Sequence, residues 1–343
     1  MKAKDNLIKT SFGIDISKDK FDAALMSLSS DFEQKTFPKV PTFDNNLSGF
    51  AKFLSWANAQ TPDSATSVWF VMEATGVYYE SLAHFLAVNQ KQVAVVLPTR
   101  SKAFSASLSQ KSKTDSIDAL MLAQMGLERT LDTFVVPEPL LHEIKIRCRE
   151  LQQIKKQKTS HSNQLHALKY SYQPPASVIL RHENTIRHYD DQIDIIEKEL
   201  TDLVNQNSEL KDKIQKVITI KGVGLITVLS IVAETNGFAL IENARQLTSY
   251  AGLDVKLNES GKFKGKTRIS KAGNSNIRHA LYFPAMSAIQ YNDPLKDFYE
   301  RLSQRTSTKQ AALIAVMRKL LILIFTLWKT GETWNPNYLS KSV

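Results

Sequence analysis

Hydrophobic and polar positions follow different periods in different stretches of this chain. Residues 11–16 (SFGIDI) and 21–28 (FDAALMSL) read as two strands of a hairpin, with Ser17-Lys18-Asp19-Lys20 as the turn. A third strand is expected near residues 33–38. Over 44–59 the apolar residues fall at Leu47, Phe50, Phe53, Leu54 and Ala57, a helical period. Residues 67–72 (SVWFVM) form a continuous apolar run of the kind found in buried strands. Residues 78–89 look helical, and 92–97 read as a strand ended by Pro98.

Three strands, helix, strand, helix, strand is an order that ribonuclease H-like domains share with other α/β folds. Pro137 and Pro139 then mark a boundary. From Leu140 to Tyr170 the pattern is polar and helical, and Pro174-Pro175 must break that helix. A second helix carries a heptad, with Ile193, Leu200, Asn207 and Ile214 at one seam position and Ile196, Leu203, Leu210 and Val217 at the other. That spacing predicts a coiled coil, with Asn207 as a buried polar residue fixing register. An ordinary amphipathic helix packed on a domain gives the same pattern. The division expected is 1–136, an α/β domain; 137–217, a coiled-coil oligomerisation region; and 218–343, a mostly α-helical domain.

Charge sharpens this division. The 343 residues carry a formal charge of +10. Residues 1–136 hold 14 basic and 14 acidic side chains, 137–217 hold 13 and 12, and 218–343 hold 17 and 8. The excess lies in the last third, the footprint of a polyanion-binding surface or of a merely solubilising one. The single cysteine, Cys148, excludes a disulfide framework and a multi-cysteine zinc site. The start lacks an apolar run of signal-peptide length, and Arg318 and Lys319 interrupt the apolar stretch 311–328. A cytoplasmic protein with no membrane span is expected.

Four carboxylates stand out. Asp15 sits within an apolar strand. Glu73 closes the VWFVM run and precedes Ala74-Thr75-Gly76. Asp115 and Asp118 share one face of a helix that Thr114 can cap. A solvent-facing strand residue and a solvated helix start are the plain alternatives. Together the four offer oxygens for one or two Mg²⁺ ions, with Mn²⁺ as a substitute.

In the basic third, residues 217–228 (VITIKGVGLITV) have the helix-hairpin-helix pattern. Lys221, Gly222 and Gly224 are candidates for contact with a nucleic-acid backbone, because the glycines allow a tight turn with N–H groups facing a phosphate. A simple helix–helix turn is the alternative. Lys262, Lys264, Lys266, Arg268, Lys271 and, further on, Arg278 could hold phosphate. Ser270 lies between Arg268 and Lys271. A hydroxyl flanked by cations suits attack on a phosphodiester, and it equally suits a helix cap.

These motifs resemble the DEDD insertion-sequence transposases, a family that includes the Piv/MooV DNA invertases and the bridge-RNA-guided recombinases. The matching pieces are Gly13-Ile14-Asp15, Glu73-Ala74-Thr75-Gly76, Lys113-Thr114-Asp115 with Asp118-Ala119, Gly222-Val223-Gly224, Tyr250-Ala251-Gly252-Leu253, Glu259-Ser260-Gly261 and Arg268-Ile269-Ser270-Lys271-Ala272-Gly273. The resemblance implies a RuvC-like (ribonuclease H-like) domain with Asp15, Glu73, Asp115 and Asp118 as metal ligands. It implies a C-terminal transposase domain whose Ser270 forms a covalent phosphoserine link to DNA. It also implies a homo-oligomer, dimer or tetramer, with an active site shared between protomers. The expected partners are donor and target DNA and, in the guided branch, a structured RNA. The expected location is cytoplasmic, nucleoid-associated, in a prokaryotic cell. A junction nuclease that uses water instead of Ser270, an unguided invertase, an actin-like sugar kinase and a non-catalytic nucleic-acid scaffold are the competing classes.

Overall fold

A computed structural model describes residues 7–61, 67–108, 114–239, 241–256, 259–260, 263–264, 268–306 and 308–336. The chain divides into two compact units, Met1–Val136 and Pro137–Val343.

In the first unit the hairpin is β1 (Leu7–Ile16) and β2 (Lys20–Ser29), followed by the short strands β3 (Gln34–Thr36) and β4 (Thr42–Asp44). Helix α1 (Leu47–Gln60) is capped by Asn46, whose side chain accepts from Gly49 N. Then come β5 (Val68–Glu73), α2 (Glu80–Val88), β6 (Gln92–Val96), α3 (Pro98–Ser107) and α4 (Asp115–Glu128). Pro98 ends the strand as expected and also opens α3, because its fixed φ suits the first helical position.

The sheet runs β3-β2-β1-β5-β6, with β4 added on β2. β1, β2 and β3 are antiparallel; β1, β5 and β6 are parallel. This is the ribonuclease H-like arrangement. Phe12 and Ile14 face one side of β1 and are fully buried among Phe53, Phe70 and Leu82. Phe12 and Phe70 stack with centroids 5.0 Å apart. The other side of β1 carries Ser11, Gly13 and Asp15, by the two-residue period of a strand, and α4 packs there. A Cβ on Gly13 would lie 2.0 Å from Ala119 O and 2.1 Å from Ala123 N. Glycine is therefore what lets α4 lie directly on the strand.

The second unit is helical: α5 (Pro139–Lys169), α6 (Ala176–Gln206), α7 (Ser208–Val217), α8 (Leu225–Glu234), α9 (Ala244–Tyr250), α10 (Ser275–Tyr291), α11 (Asp293–Ser303) and α12 (Lys309–Thr330). Four two-residue strands, β7 (Val255–Lys256), β8 (Glu259–Ser260), β9 (Phe263–Lys264) and β10 (Arg268–Ile269), lie between α9 and α10. One hydrophobic core runs from Leu141 on α5 to Leu327 on α12. α12 is long and apolar enough to cross a bilayer, and it supplies nine buried residues to this core.

The heptad does not run as one coil. α6 stops at Gln206, and Asn207 takes an extended backbone. Its side chain accepts from Leu210 N at 2.9 Å and caps α7. Asn207 is thus a helix cap rather than a buried seam residue, the role for which asparagine competes best with helix interior. Leu200, Ile214 and Val217 are buried by their own chain. α6 folds back antiparallel on α5, as ion pairs Lys169–Glu183, Lys155–Glu197 and Arg147–Glu199 show.

Candidate active site

The parallel strands β1 and β5 end side by side. Ile14 pairs with Met72, so the next residues, Asp15 and Glu73, emerge at the same sheet end. The contact at Gly13 brings the first turn of α4 to that end. Thr114 caps α4 as expected, accepting from Ile117 N, and Asp115 and Asp118 fill its first turn.

The surrounding carboxylates act on Asp15. Asp15 is pushed up from 3.8 to about 6, first by its burial, then by Asp118, Asp115, Glu73 and Asp22. Among the described residues no three His, Cys, Asp or Glu side chains converge tightly enough to hold an ion. The donor set still suits a divalent cation: hard oxygens, like charges in a half-buried place, and a repulsion that a cation would relieve.

Several neighbours escaped the sequence reading. Glu73 accepts from Thr75 Oγ1 at 2.7 Å through one oxygen and from Ser101 Oγ through the other. Ser101 is buried on α3, a helix with no local signal tying it to Glu73. Asp22 lies directly across the hairpin from Asp15 and accepts from Thr42 Oγ1 at 2.6 Å. The symmetric hairpin around the Ser17–Lys20 turn was the signal that could have found it. A cleft of about 60 Å³ is lined by Asp15, Ser17, Lys20, Phe21, Asp22 and Asp115.

In the second unit the motifs Tyr250–Leu253 and Arg268–Gly273 close on each other. β10 pairs with β7, matching Arg268 with Lys256 and Ile269 with Val255. The glycines touch: a Cβ on Gly273 would sit 2.5 Å from both Gly252 N and Tyr250 O. Ser270 does not cap the following helix. Asn274 does, accepting from Asn276 N and Ile277 N. Ser270 Oγ instead donates to Asp254 Oδ1 at 2.7 Å.

Behind this loop lies a buried carboxylate that the sequence did not suggest. Glu234 accepts from Arg149 Nε and Nη2 at 2.6 and 2.9 Å, and from Asn274 Nδ2 and Asn276 Nδ2 at 2.7 and 2.9 Å. Burial raises its pKa, but the bonds from Arg149 and Asn274 outweigh that and hold it lowered. The group ties α5 and α8 to the start of α10.

The other basic candidates divide. Arg268 and Lys271 are exposed. Arg278 Nη1 donates to Ala251 O and Gly273 O at 2.8 and 3.1 Å, so that nitrogen braces the loop instead of reaching out for phosphate. Lys262 and Lys266 lie outside the described residues, as does the Lys264 side chain. In the hairpin between α7 and α8, Lys221 is exposed. Gly222 has φ +96, and a Cβ there would lie 2.7 Å from Ala288 N. Packing on α10 is thus one reason for that glycine. Gly224 opens α8 with nothing within 4 Å of a Cβ position.

The first unit has a ribonuclease H-like sheet, with Asp15 and Glu73 emerging at one end and Asp115 and Asp118 in the first turn of α4. A family described as "Transposase" matches residues 12–174, and one described as "Transposase IS116/IS110/IS902 family" matches 214–300. A "Pilin gene-inverting protein" of Moraxella bovis is 30% identical over 331 residues, 95% of this chain and 98% of that protein. The "Transposase for insertion sequence element IS1111A" of Coxiella burnetii is 28% identical over 149 residues, 42% of this chain and 40% of that one. T. thermophilus RuvC in complex with a Holliday junction substrate is similar at 10% identity and TM-score 0.28, covering 36% of this chain and 99% of RuvC. The chain belongs to the IS116/IS110/IS902 family of transposases, together with the pilin-gene-inverting recombinases, enzymes that cleave and rejoin DNA.

Proposed function

We propose that this recombinase breaks DNA with Ser270 as nucleophile, supported by a divalent metal held by Asp15, Glu73, Asp115 and Asp118, and that a structured RNA selects its DNA sites. The observation that carries the metal half is the crowding of carboxylates that lifts Asp15 to about 6. Mg²⁺ is the ion that suits such oxygens, with Mn²⁺ able to replace it, and one or two bound ions would polarise phosphate oxygens. Ser101 and Thr75 hold Glu73 in one orientation by their hydroxyls. The serine half is supported by the braced loop, which presents Ser270 between exposed Arg268 and Lys271. Those cations would stabilise charge building on the phosphorus. A covalent link conserves the energy of the broken bond, so rejoining needs no added cofactor. The turn at Lys221–Gly224 and the basic loop through Lys262, Lys264 and Lys266 would grip the backbone, leaving sequence choice to base pairing.

The test is recombination of a plasmid carrying the gene with its native flanking DNA. Asp15→Ala, Glu73→Ala, Asp115→Ala, Asp118→Ala and Ser270→Ala should each abolish it while melting stays cooperative. Full activity in any two of the acidic variants would remove the metal-site assignment. RNA transcribed from the flanking DNA should copurify with the protein and its digestion should stop recombination; activity that survives digestion would make this an unguided recombinase. A second outcome, inversion instead of transposition, is favoured by the near full-length match to the Moraxella bovis pilin gene-inverting protein. Sequencing the plasmid products separates the two.

A further inference from the structure

A serine hydroxyl is a weak nucleophile at neutral pH and needs a base within hydrogen-bond reach. Ser270 has one. Its Oγ donates to Asp254 Oδ1 at 2.7 Å. The backbone does not require this bond. Ser270 N donates to Asp254 O at 2.9 Å, Lys271 N to Gly252 O at 3.1 Å and Asn274 N to Tyr250 O at 2.7 Å. Arg278 braces the same turn from the side. The main chain therefore sets the loop, and the carboxylate–hydroxyl contact is additional to it. Ala272 N donates to the serine oxygen at 3.3 Å. Lys271 then turns the chain through a left-handed conformation, φ +53, which residues with a side chain rarely adopt. Such a sharp turn directly after a half-buried serine is backbone strain kept at the point of chemistry.

We propose that Asp254 is the general base for Ser270; this rests on Ser270 being the nucleophile. In cleavage, Ser270 Oγ forms a bond to phosphorus as the phosphorus–deoxyribose oxygen bond breaks. The hydroxyl proton passes to Asp254 Oδ1. The electron pair of the broken bond leaves with the sugar oxygen, which takes a proton from water. In rejoining, a sugar hydroxyl attacks the phosphoserine and loses its proton to water. The departing serine oxygen recovers its proton from Asp254. The same carboxyl group serves both directions, as reversible strand exchange requires.

The experiment follows covalent protein–DNA adduct formation in a single turnover. It uses the full chain, the RNA transcribed from the gene's flanking DNA, and a supercoiled plasmid carrying that DNA. Asp254→Asn keeps the shape of the side chain and removes the base. It should slow adduct formation by roughly 10²–10⁴-fold at pH 7, with plasmid binding and melting unchanged. The deficit should shrink as pH rises and hydroxide substitutes, and Asp254→Glu should restore part of the rate. In a Ser270→Cys background, where a thiol loses its proton far more readily than a hydroxyl, adding Asp254→Asn should cost less than about tenfold. A wild-type rate for Asp254→Asn, or an equal loss in the cysteine background, would overturn the proposal. Should Asp254→Asn fail to fold, the wild-type profile decides. A rate that levels off with pH supports a base in the protein, and one that climbs about tenfold per pH unit to pH 9 contradicts it. Cleavage by Ser270→Ala would instead remove the nucleophile itself, a failure distinct from that of Asp254.

Discussion

Asp15→Asn should stabilise the metal-free protein at neutral pH while abolishing its activity. Asp15 titrates at about 6 in the folded chain against 3.8 ordinarily, so folding holds a proton that the unfolded chain releases. Folded stability attributable to this group is full below pH 4. It falls as pH rises through 6, and the whole cost is present at pH 7. Each pH unit between those values is worth about 1.4 kcal/mol, giving a ceiling of about 3 kcal/mol. Asp15 is only half-buried, and solvent screening brings the expected gain from asparagine to about 1–2 kcal/mol. Hydrogen exchange read peptide by peptide isolates the first unit. In EDTA at pH 7.5, β1 and β5 amides that exchange by unfolding of this unit should be about 5–30-fold better protected in Asp15→Asn than in wild type. At pH 4 the difference should vanish. Added Mg²⁺ should protect wild type and leave the variant unchanged. Equal or lower protection in Asp15→Asn at pH 7.5 would refute the crowding of carboxylates around Asp15.

Gly13→Ala should disrupt the first unit, because the new methyl meets backbone atoms of α4 that cannot swing aside; overpacking of this kind costs about 1–3 kcal/mol or more, read by urea denaturation. Arg149→Met should destabilise the second unit by about 1–3 kcal/mol, below the usual 3–5 for a fully buried pair because Arg149 is half-exposed and Asn274 and Asn276 still serve Glu234. The lowered pKa of Glu234 adds that its stabilisation is present at neutral pH and lost as pH falls through the acidic range, so an acid-denaturation midpoint should shift upward in Arg149→Met. Leu200→Glu should melt the second unit instead of splitting an oligomer, since Leu200 is fully buried within its own chain; a well-folded variant of lower mass in light scattering would contradict that.

Most elements of the first unit were legible because their periods are clean and bounded by turns or proline; the short strand β4 and helix α3, with no clean period of their own, were not. The four carboxylates were legible as candidates, yet what gathers them was not. Gly13 reads as a small residue in a strand, and only its approach to Ala119 shows that it sets the position of α4. Asp22 was readable from the hairpin that sets it opposite Asp15, whereas Ser101 and Asp254 reach their partners, 28 and 16 positions away, by tertiary folding with no local pattern to mark them. The heptad does not run as one helix, for a definite reason. Hydrophobic spacing continues across Asn207, but the asparagine side chain offers its own bond to Leu210 N, and that ends one helix and starts the next. The seam is then filled by α5 and the helical core of the same chain. Ser270 carried two readings, cap or nucleophile, and Asn274 took the cap.

Serine chemistry is the central claim, and its most direct measurement is the covalent adduct itself. The full chain is reacted with the plasmid and the flanking-DNA transcript in Mg²⁺, quenched, and digested with nuclease and protease. Mass spectrometry should then find a peptide containing Ile269-Ser270-Lys271 that carries nucleotide on the serine, absent from Ser270→Ala. Strand cleavage at the wild-type rate by Ser270→Ala, with no such peptide from the native protein, would contradict the account and leave a hydrolytic RuvC-like nuclease in its place.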